Sequence, residues 1–272
     1  MSGSPATGGP SVSPRDVRRI ILEQSRRADV GHIGSALCVA DIVASLYGGV
    51  LRQVSPDDPD RDRVVVSKGH SVLAVYAALH LRGWIDAATL DTYCNDGTLL
   101  GVHPDAALAG IDFSTGSLGQ GLSFAAGAAL AARMQGSARR SFALVSDAEC
   151  NEGALWEAVM FAAHHRLGGL TAIVDLNGQQ ALGDTDRVLS LDPLADRWRA
   201  FGWDVREVDG HDLDALDRTL GRPAASTGPP LVVIASTTFG KGVSFMEGQL
   251  RWHYWPMSEA ECRQALEEVA VA

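Results

Sequence analysis

Asp147 and Asn177 are the side chains with the most definite chemistry in this sequence. Each closes an apolar run, FALVS before Asp147 and LTAIVDL before Asn177, and thirty residues separate them. One β-α-β unit spans such an interval and sets two strand ends side by side, where ligands of parallel sheets bind. A carboxylate and an amide oxygen are hard ligands that suit Mg2+, or Ca2+, rather than zinc. Mg2+ keeps only one or two protein side chains and completes its octahedron with diphosphate oxygens and water, so this pair fits a metal diphosphate. An isolated Asp in such a place more commonly caps the next helix. The neighbouring segment STGSLGQG (114–121) tips the balance. Its three glycines allow a ligand close to the backbone, and the helix it opens offers free N–H groups to an anion. It matches neither G-x-G-x-x-G nor the P-loop, and by itself it reads equally as a packing turn.

Four of the eight histidines lie beside Gly or Pro or among aromatic residues: His32 in GHIG, His70 in KGHS, His103 in GVHP and His253 in RWHYWP. Neutral imidazoles donate and accept, so they suit proton transfer at substrate hydroxyls near neutral pH. Taken singly, each is as readily a loop histidine. His80, His164 and His165 fall within helical patterns, and His211 (DGHD) within a strand-to-helix turn. Of 23 basic residues only Lys68 and Lys241 are lysines, both in Gly-containing loops.

The elements that position these residues follow from hydrophobic periodicity. Helices are expected over 15–28, 41–51, 71–81, 87–93, 118–133, 152–165, 193–201, 211–220 and 258–269. Strands are expected over 64–66, 141–145, 170–176, 203–208 and 231–235, with a further strand candidate ending at Phe113. Asp192-Pro193 supplies an N-cap and an N1 proline. Alternating strands and helices imply an α/β fold, a parallel sheet with helices on both faces. Residues 15–272 read as one domain, and residues 1–14, rich in Gly, Pro and Ser, as a flexible tail.

Composition excludes several classes. The chain has 272 residues, a net charge of −10 and 46% hydrophobic residues, which fits a globular protein. An acidic balance argues against nucleic acid as partner, and no apolar run reaches the ~18 residues of a membrane span. Cys38, Cys94, Cys150 and Cys262 form no C-x-x-C pair. Four unpaired thiols and an N-terminus without a signal peptide imply a reducing, cytoplasmic location.

In order and spacing, the blocks GHIGSAL, DRDRVVVSKGHSVLAVYAAL, HPD, STGSLGQGLS, SDAECNEGALWEA, AIVDLNGQQ, FGWDVREVDGHD and FGKGVSFMEG resemble the N-terminal, diphosphate-binding domain of transketolases. The form resembled is the one in which the enzyme is divided into two polypeptides. The likeness runs from about residue 15 to 265 and implies the thiamine diphosphate-binding fold. It implies thiamine diphosphate with Mg2+ (Ca2+ is an alternative), held by Asp147, Asn177 and the backbone carbonyl of Gln179. Gly116, Ser117 and Leu118 match the loop lying against the cofactor rings. His32, His70, His103 and His253 match the histidines around the diphosphate and the donor hydroxyls, and Glu152 an acidic network linking the two active sites of a dimer.

Two departures from the family pattern stand out. Ser146 and Ala148 flank Asp147 where glycines are usual, and either would be strained if its φ had to be positive. The tail RWHYWPM is more aromatic than usual and is expected to reshape the donor pocket. The pyrimidine-binding domain is missing from the sequence, so the resemblance implies a separate partner subunit in an α2β2 assembly, docking around Leu118, Trp252, Tyr254 and Trp255. The implied activity is transfer of a two-carbon ketol unit from a ketose to an aldehyde. A carboligase using a 2-oxo acid donor, and a non-catalytic binding subunit, are the alternatives.

Overall fold

The computed structural model describes residues 12–52 and 55–271. Five parallel strands form the sheet: β1 (Arg63–Val66), β2 (Ser141–Ser146), β3 (Leu170–Leu176), β6 (Asp204–Asp209) and β7 (Leu231–Ser236). Their spatial order is β1-β2-β3-β7-β6. Between β3 and β6 lies a small antiparallel hairpin, β4 (Gln179–Gln180) and β5 (Gly183–Asp184).

Alternation along the central strands sends side chains to two separate cores. Val64, Val66, Phe142, Leu144, Ile173, Val233 and Ala235 face one side. There they meet α1 (Pro14–Ala28), α2 (Ile33–Leu37), α3 (Ala40–Ser45), α4 (Val72–Leu81), α10 (Leu213–Leu220) and α11 (Glu259–Val271). The single turn α5 (Ala87–Leu90) follows α4 and buries Leu90 in this same core. Val65, Ala143, Val145, Ala172, Val174, Val232 and Ile234 face the opposite side. That face is covered by α6 (Gly121–Met134), α7 (Gly153–His164) and α9 (Leu194–Ala200), while the short α8 (Thr185–Leu189) follows the hairpin. Ala125, Ala126, Ala129 and Ala132 let α6 lie close on β1 and β2.

The edges of the sheet differ from its centre. β2 is wholly buried. β1 is only four residues long, and β6 carries Asp204, Arg206, Glu207 and Asp209, with Arg206 and Glu207 exposed.

Several expectations are corrected. Of the expected tail over 1–14, residues 1–11 lie outside the described residues, and residues 12–14 are described. Val12 is buried, and Ser13 caps a helix that already begins at Pro14, its Oγ accepting the Asp16 N–H at 3.1 Å. Phe113 ends no strand. Asp112 takes the Val64 N–H at 2.8 Å and pairs with Arg61 and Arg63, so side-chain bonds rather than a ladder hold this segment beside β1. The 41–51 helix stops at Ser45 and widens into a π turn through Val50. Pro193 is the N-cap of α9, not its first residue.

Candidate active site

Adjacent strand ends bring Asp147 and Asn177 together. Ser146 on β2 is opposite Asp175 on β3, and the Asp147 N–H donates to the Asp175 carbonyl at 3.1 Å. Asp147 is fully buried. Its Oδ1 accepts the Ala148 N–H at 2.7 Å and its Oδ2 the Gly178 N–H at 2.8 Å, which ties the two loops to each other. Burial and the nearby Asp175 carboxylate push its pKa up to about 7, against the pull of those two hydrogen bonds. A dry, negatively charged position of this kind favours a cation. Ser146 and Ala148 both avoid positive φ, so the substitution of the usual glycines strains nothing.

Asn177 Oδ1 accepts the Gln179 N–H at 2.9 Å and keeps a second lone pair. Gln179 opens the hairpin, donates from Nε2 to the Gly248 carbonyl at 2.6 Å, and leaves its buried Oε1 without a partner. Among the described residues no three His, Cys, Asp or Glu side chains converge as a metal centre. One carboxylate and one amide match an ion that takes its remaining ligands from diphosphate and water. The donor set therefore fits Mg2+ or Ca2+.

The STGSLGQG loop is fastened over these strand ends by residues that sequence reasoning missed. Ser67 donates to Glu149, Glu149 Oε1 accepts the Gly119 N–H at 2.7 Å, and Ser67 Oγ accepts the Gly121 N–H at 3.0 Å. Burial raises the pKa of Glu149, with hydrogen bonds from Ser67, Gly119 and the Ser146 N–H (3.3 Å) acting against that rise. Gly119 sits at φ +86°, and a Cβ there would come within 2.6 Å of Glu152 Cβ, so only glycine fits. Glu152 is exposed at the start of α7. Ser117 is exposed and Leu118 half-buried, while Gly116 lies against the His103 ring.

Three of the four singled-out histidines form one cluster. The ring centroids of His32, His70 and His253 are separated by 5.4, 5.3 and 5.5 Å. His253 lies on a short 3-10 turn, where its carbonyl accepts the His32 N–H at 3.2 Å and Phe239 stacks on its ring. Burial, with His103 adding, lowers the pKa of His32. Burial, Lys68 and the neighbouring histidines take His70 down to about 2, and burial, His32 and Lys68 take His253 to about 4. The cluster is therefore neutral at pH 7. His32 Nδ1 is buried without a partner, an unfilled hydrogen-bonding position inside the site. His103 stands apart, exposed, across Gly69 and Gly116.

His211 has a different office. The Thr238 N–H donates to its Nε2 at 2.9 Å, so Nδ1 carries the proton and meets Asp41 at 2.7 Å. The expected aromatic docking cluster is also corrected. Trp252 is 2% exposed and donates from Nε1 to the Phe245 carbonyl at 3.1 Å, leaving Tyr254 (53%) and Trp255 (63%) at the surface.

Residues 13–271 match the family described as "Transketolase, thiamine diphosphate binding domain". The chain is 40% identical to the 6-deoxy-6-sulfo-D-fructose transketolase subunit SqwG of Clostridium sp. (strain MSTE9), covering 93% of each. It is 39% identical to one subunit of the apulose-4-phosphate transketolase of Phocaeicola vulgatus, covering 93% of this chain and 91% of that one. Among solved structures it resembles the transketolases of Campylobacter jejuni (TM-score 0.86, 27% identity) and Leishmania mexicana (TM-score 0.88, 27% identity). These alignments cover 94% of this chain but only 42% and 40% of theirs. No described helix is long and apolar enough to cross a membrane. With its strand-end pair, its Gly-rich loop and this likeness along nearly all its length, the chain belongs to the transketolase family and bears its thiamine diphosphate-binding domain.

Proposed function

We propose that this chain is the cofactor-holding half of a two-component enzyme that transfers a two-carbon ketol unit from a ketose to an aldehyde. The observation that carries the reading is the pair Asp147 and Asn177 at adjacent strand ends beside neutral His32, His70 and His253. Thiamine diphosphate, when bound, supplies a nucleophilic carbon and a sink for the electrons of the broken C–C bond. Asp147, Asn177 and the Gln179 carbonyl would hold Mg2+, or Ca2+ in its place. Gly116, Ser117 and Leu118 would line the cofactor, with Ser146 and Ala148 flanking the metal ligand. His32, His103 and His253 would exchange protons with donor hydroxyls, since a neutral imidazole accepts at one nitrogen and donates at the other. His70 would face the diphosphate side. Its low pKa keeps it a neutral donor rather than a cation.

The relatives named above act on ketoses with an acidic end group, a sulfonate in one name and a phosphate in the other. We read the donor here as a ketose of that class. Naming of those relatives as subunits supports a second polypeptide carrying the pyrimidine-binding domain. We propose an α2β2 complex with Glu152 near its dyad and Tyr254 and Trp255 against the partner. Residues 15–272 act as one domain in this reading, and the four free thiols support a cytoplasmic setting.

Ketol transfer from ketose phosphates and sulfonates to aldehydes tests the proposal, measured with and without the partner subunit, thiamine diphosphate and Mg2+. Transfer is expected only with all components present. Transfer that persists without thiamine diphosphate would overturn it.

A further inference from the structure

One buried cation has no part in the chemistry just proposed. Lys68 is 1% exposed and its ammonium meets the fully buried Asp175. Burial would lower the ammonium pKa, but Asp175 carries it well above its ordinary value. Burial would likewise raise the carboxyl, but Lys68, with hydrogen bonds from Thr237 and Cys38, holds it below. Such pairs are weak stabilising devices, because well-packed apolar replacements are commonly neutral or better. The contacts of Asp175 indicate another use.

Both oxygens of Asp175 are engaged. Thr237 donates to Oδ1, while Oδ2 receives Lys68 Nζ, the Cys38 thiol at 3.1 Å and Asn177 Nδ2 at 2.8 Å. An ionised carboxylate only accepts, so it dictates which end of the Asn177 amide faces it. The NH2 lies on Asp175, and Oδ1 is turned the other way, toward the Gln179 N–H. That loop is the one tied to Asp147 through Gly178. Partners of this kind set the direction of metal ligands in many sites.

We propose that Lys68 is a positioning residue: its ammonium, seated on the same Asp175 oxygen that takes Asn177 Nδ2, fixes that carboxylate in place and so holds the amide oxygen of Asn177 toward the cation shared with Asp147. The inference rests on the reading of Asp147 and Asn177 as cation ligands. It assigns a role to a side chain that touches neither metal nor substrate.

The test uses the complex with its partner subunit, and Mn2+ as a paramagnetic stand-in for Mg2+, titrated by electron paramagnetic resonance with thiamine diphosphate present. Thermal denaturation is followed in parallel. Lys68→Met should weaken Mn2+ binding by about 10–100-fold. Lys68→Met/Asp175→Asn should recover affinity to within about threefold of wild type, because a neutral carboxamide still accepts from Asn177 Nδ2 without a charge to balance. A purely structural pair would lower Tm and leave Mn2+ affinity per folded molecule unchanged, and that result overturns the inference. So does a double variant that binds no better than Lys68→Met. Should Lys68→Met fail to fold, the double variant decides: affinity within about threefold of wild type upholds the role, and a larger loss overturns it. Asp147→Ala separates the two readings. If it binds Mn2+ like wild type, the metal assignment itself fails. If it loses Mn2+ while Lys68→Met does not, only the role of Lys68 fails.

Discussion

Asp147 carries a cost that its cation would relieve. Its folded pKa is raised to about 7 from an ordinary 3.8, so ionisation opposes folding. Above pH 7 the carboxyl is charged in both folded and unfolded chains and the penalty is complete. As pH falls toward 4 the folded form protonates first and the penalty fades. Asp147→Asn should therefore stabilise the metal-free chain at pH 8, by on the order of 2–4 kcal/mol, and the gain should shrink as pH falls from 7 to 4. Chemical denaturation at both ends of that window measures it, and the same variant should lose Mg2+ and thiamine diphosphate in calorimetry. His253 has the opposite sign. Its folded pKa is about 4, so below pH 6.5 the unfolded chain takes the proton first and stability falls until pH 4. The wild-type Tm should drop more steeply across that interval than that of His253→Asn, with about 2–4 °C for each kcal/mol at this chain size. His253→Ala and His103→Ala should lower turnover with a ketose donor more than they weaken cofactor binding. Asp147 and Asn177 were legible because two polar residues closed apolar runs at β-α-β spacing. Asp175, Glu149 and Ser67 were not, since most of their partners lie on segments far away in sequence and only folding brings them near. Lys68 left one trace, a rare lysine in a glycine loop.

At the scale of elements, the long periodic helices and the apolar strands β2, β3 and β7 were readable to within a few residues, because burial on one or both faces writes itself into the pattern. Short elements were not. α2 and the β4–β5 hairpin have too few residues to show a period, yet they place His32 and Gln179. The junction before α2 is close-packed: a Cβ on Gly31 would lie 2.3 Å from the Tyr254 carbonyl oxygen, a backbone atom. Gly31→Ala must therefore push the 250–255 segment away and break the His32–His253 backbone bond. A loss of about 1–3 kcal/mol is expected, read by denaturant unfolding, together with a raised KM for the ketose. An unchanged KM would separate this turn from the donor pocket. The Phe113 segment misled for a related reason: a run with one central Asp looks like a strand, but here Asp112 is spent on Arg61, Arg63 and the Val64 N–H.

For the whole molecule, the fold class was legible from the alternation of elements, whereas the strand order was not, because crossovers leave no mark in local periodicity. Mixed with its partner, the chain should elute as a complex of two copies of each subunit by light scattering. Tyr254→Ser/Trp255→Ser should weaken that association by at least about tenfold, as expected for exposed aromatic anchors, with the Tm of the isolated chain within about 2 °C of wild type. The sheet itself limits how any such assembly is made. Its two margins are a four-residue strand whose valines are buried and whose Val64 N–H is taken by Asp112, and a strand carrying Asp204, Arg206, Glu207 and Asp209, neither of which offers an exposed apolar ribbon of free backbone groups to a second chain. The assembly proposed above is accordingly expected to form through helices and loops rather than by prolonging the sheet. A freshly made copy waiting for its partner is likewise protected against the cross-strand polymerisation that bare β margins invite.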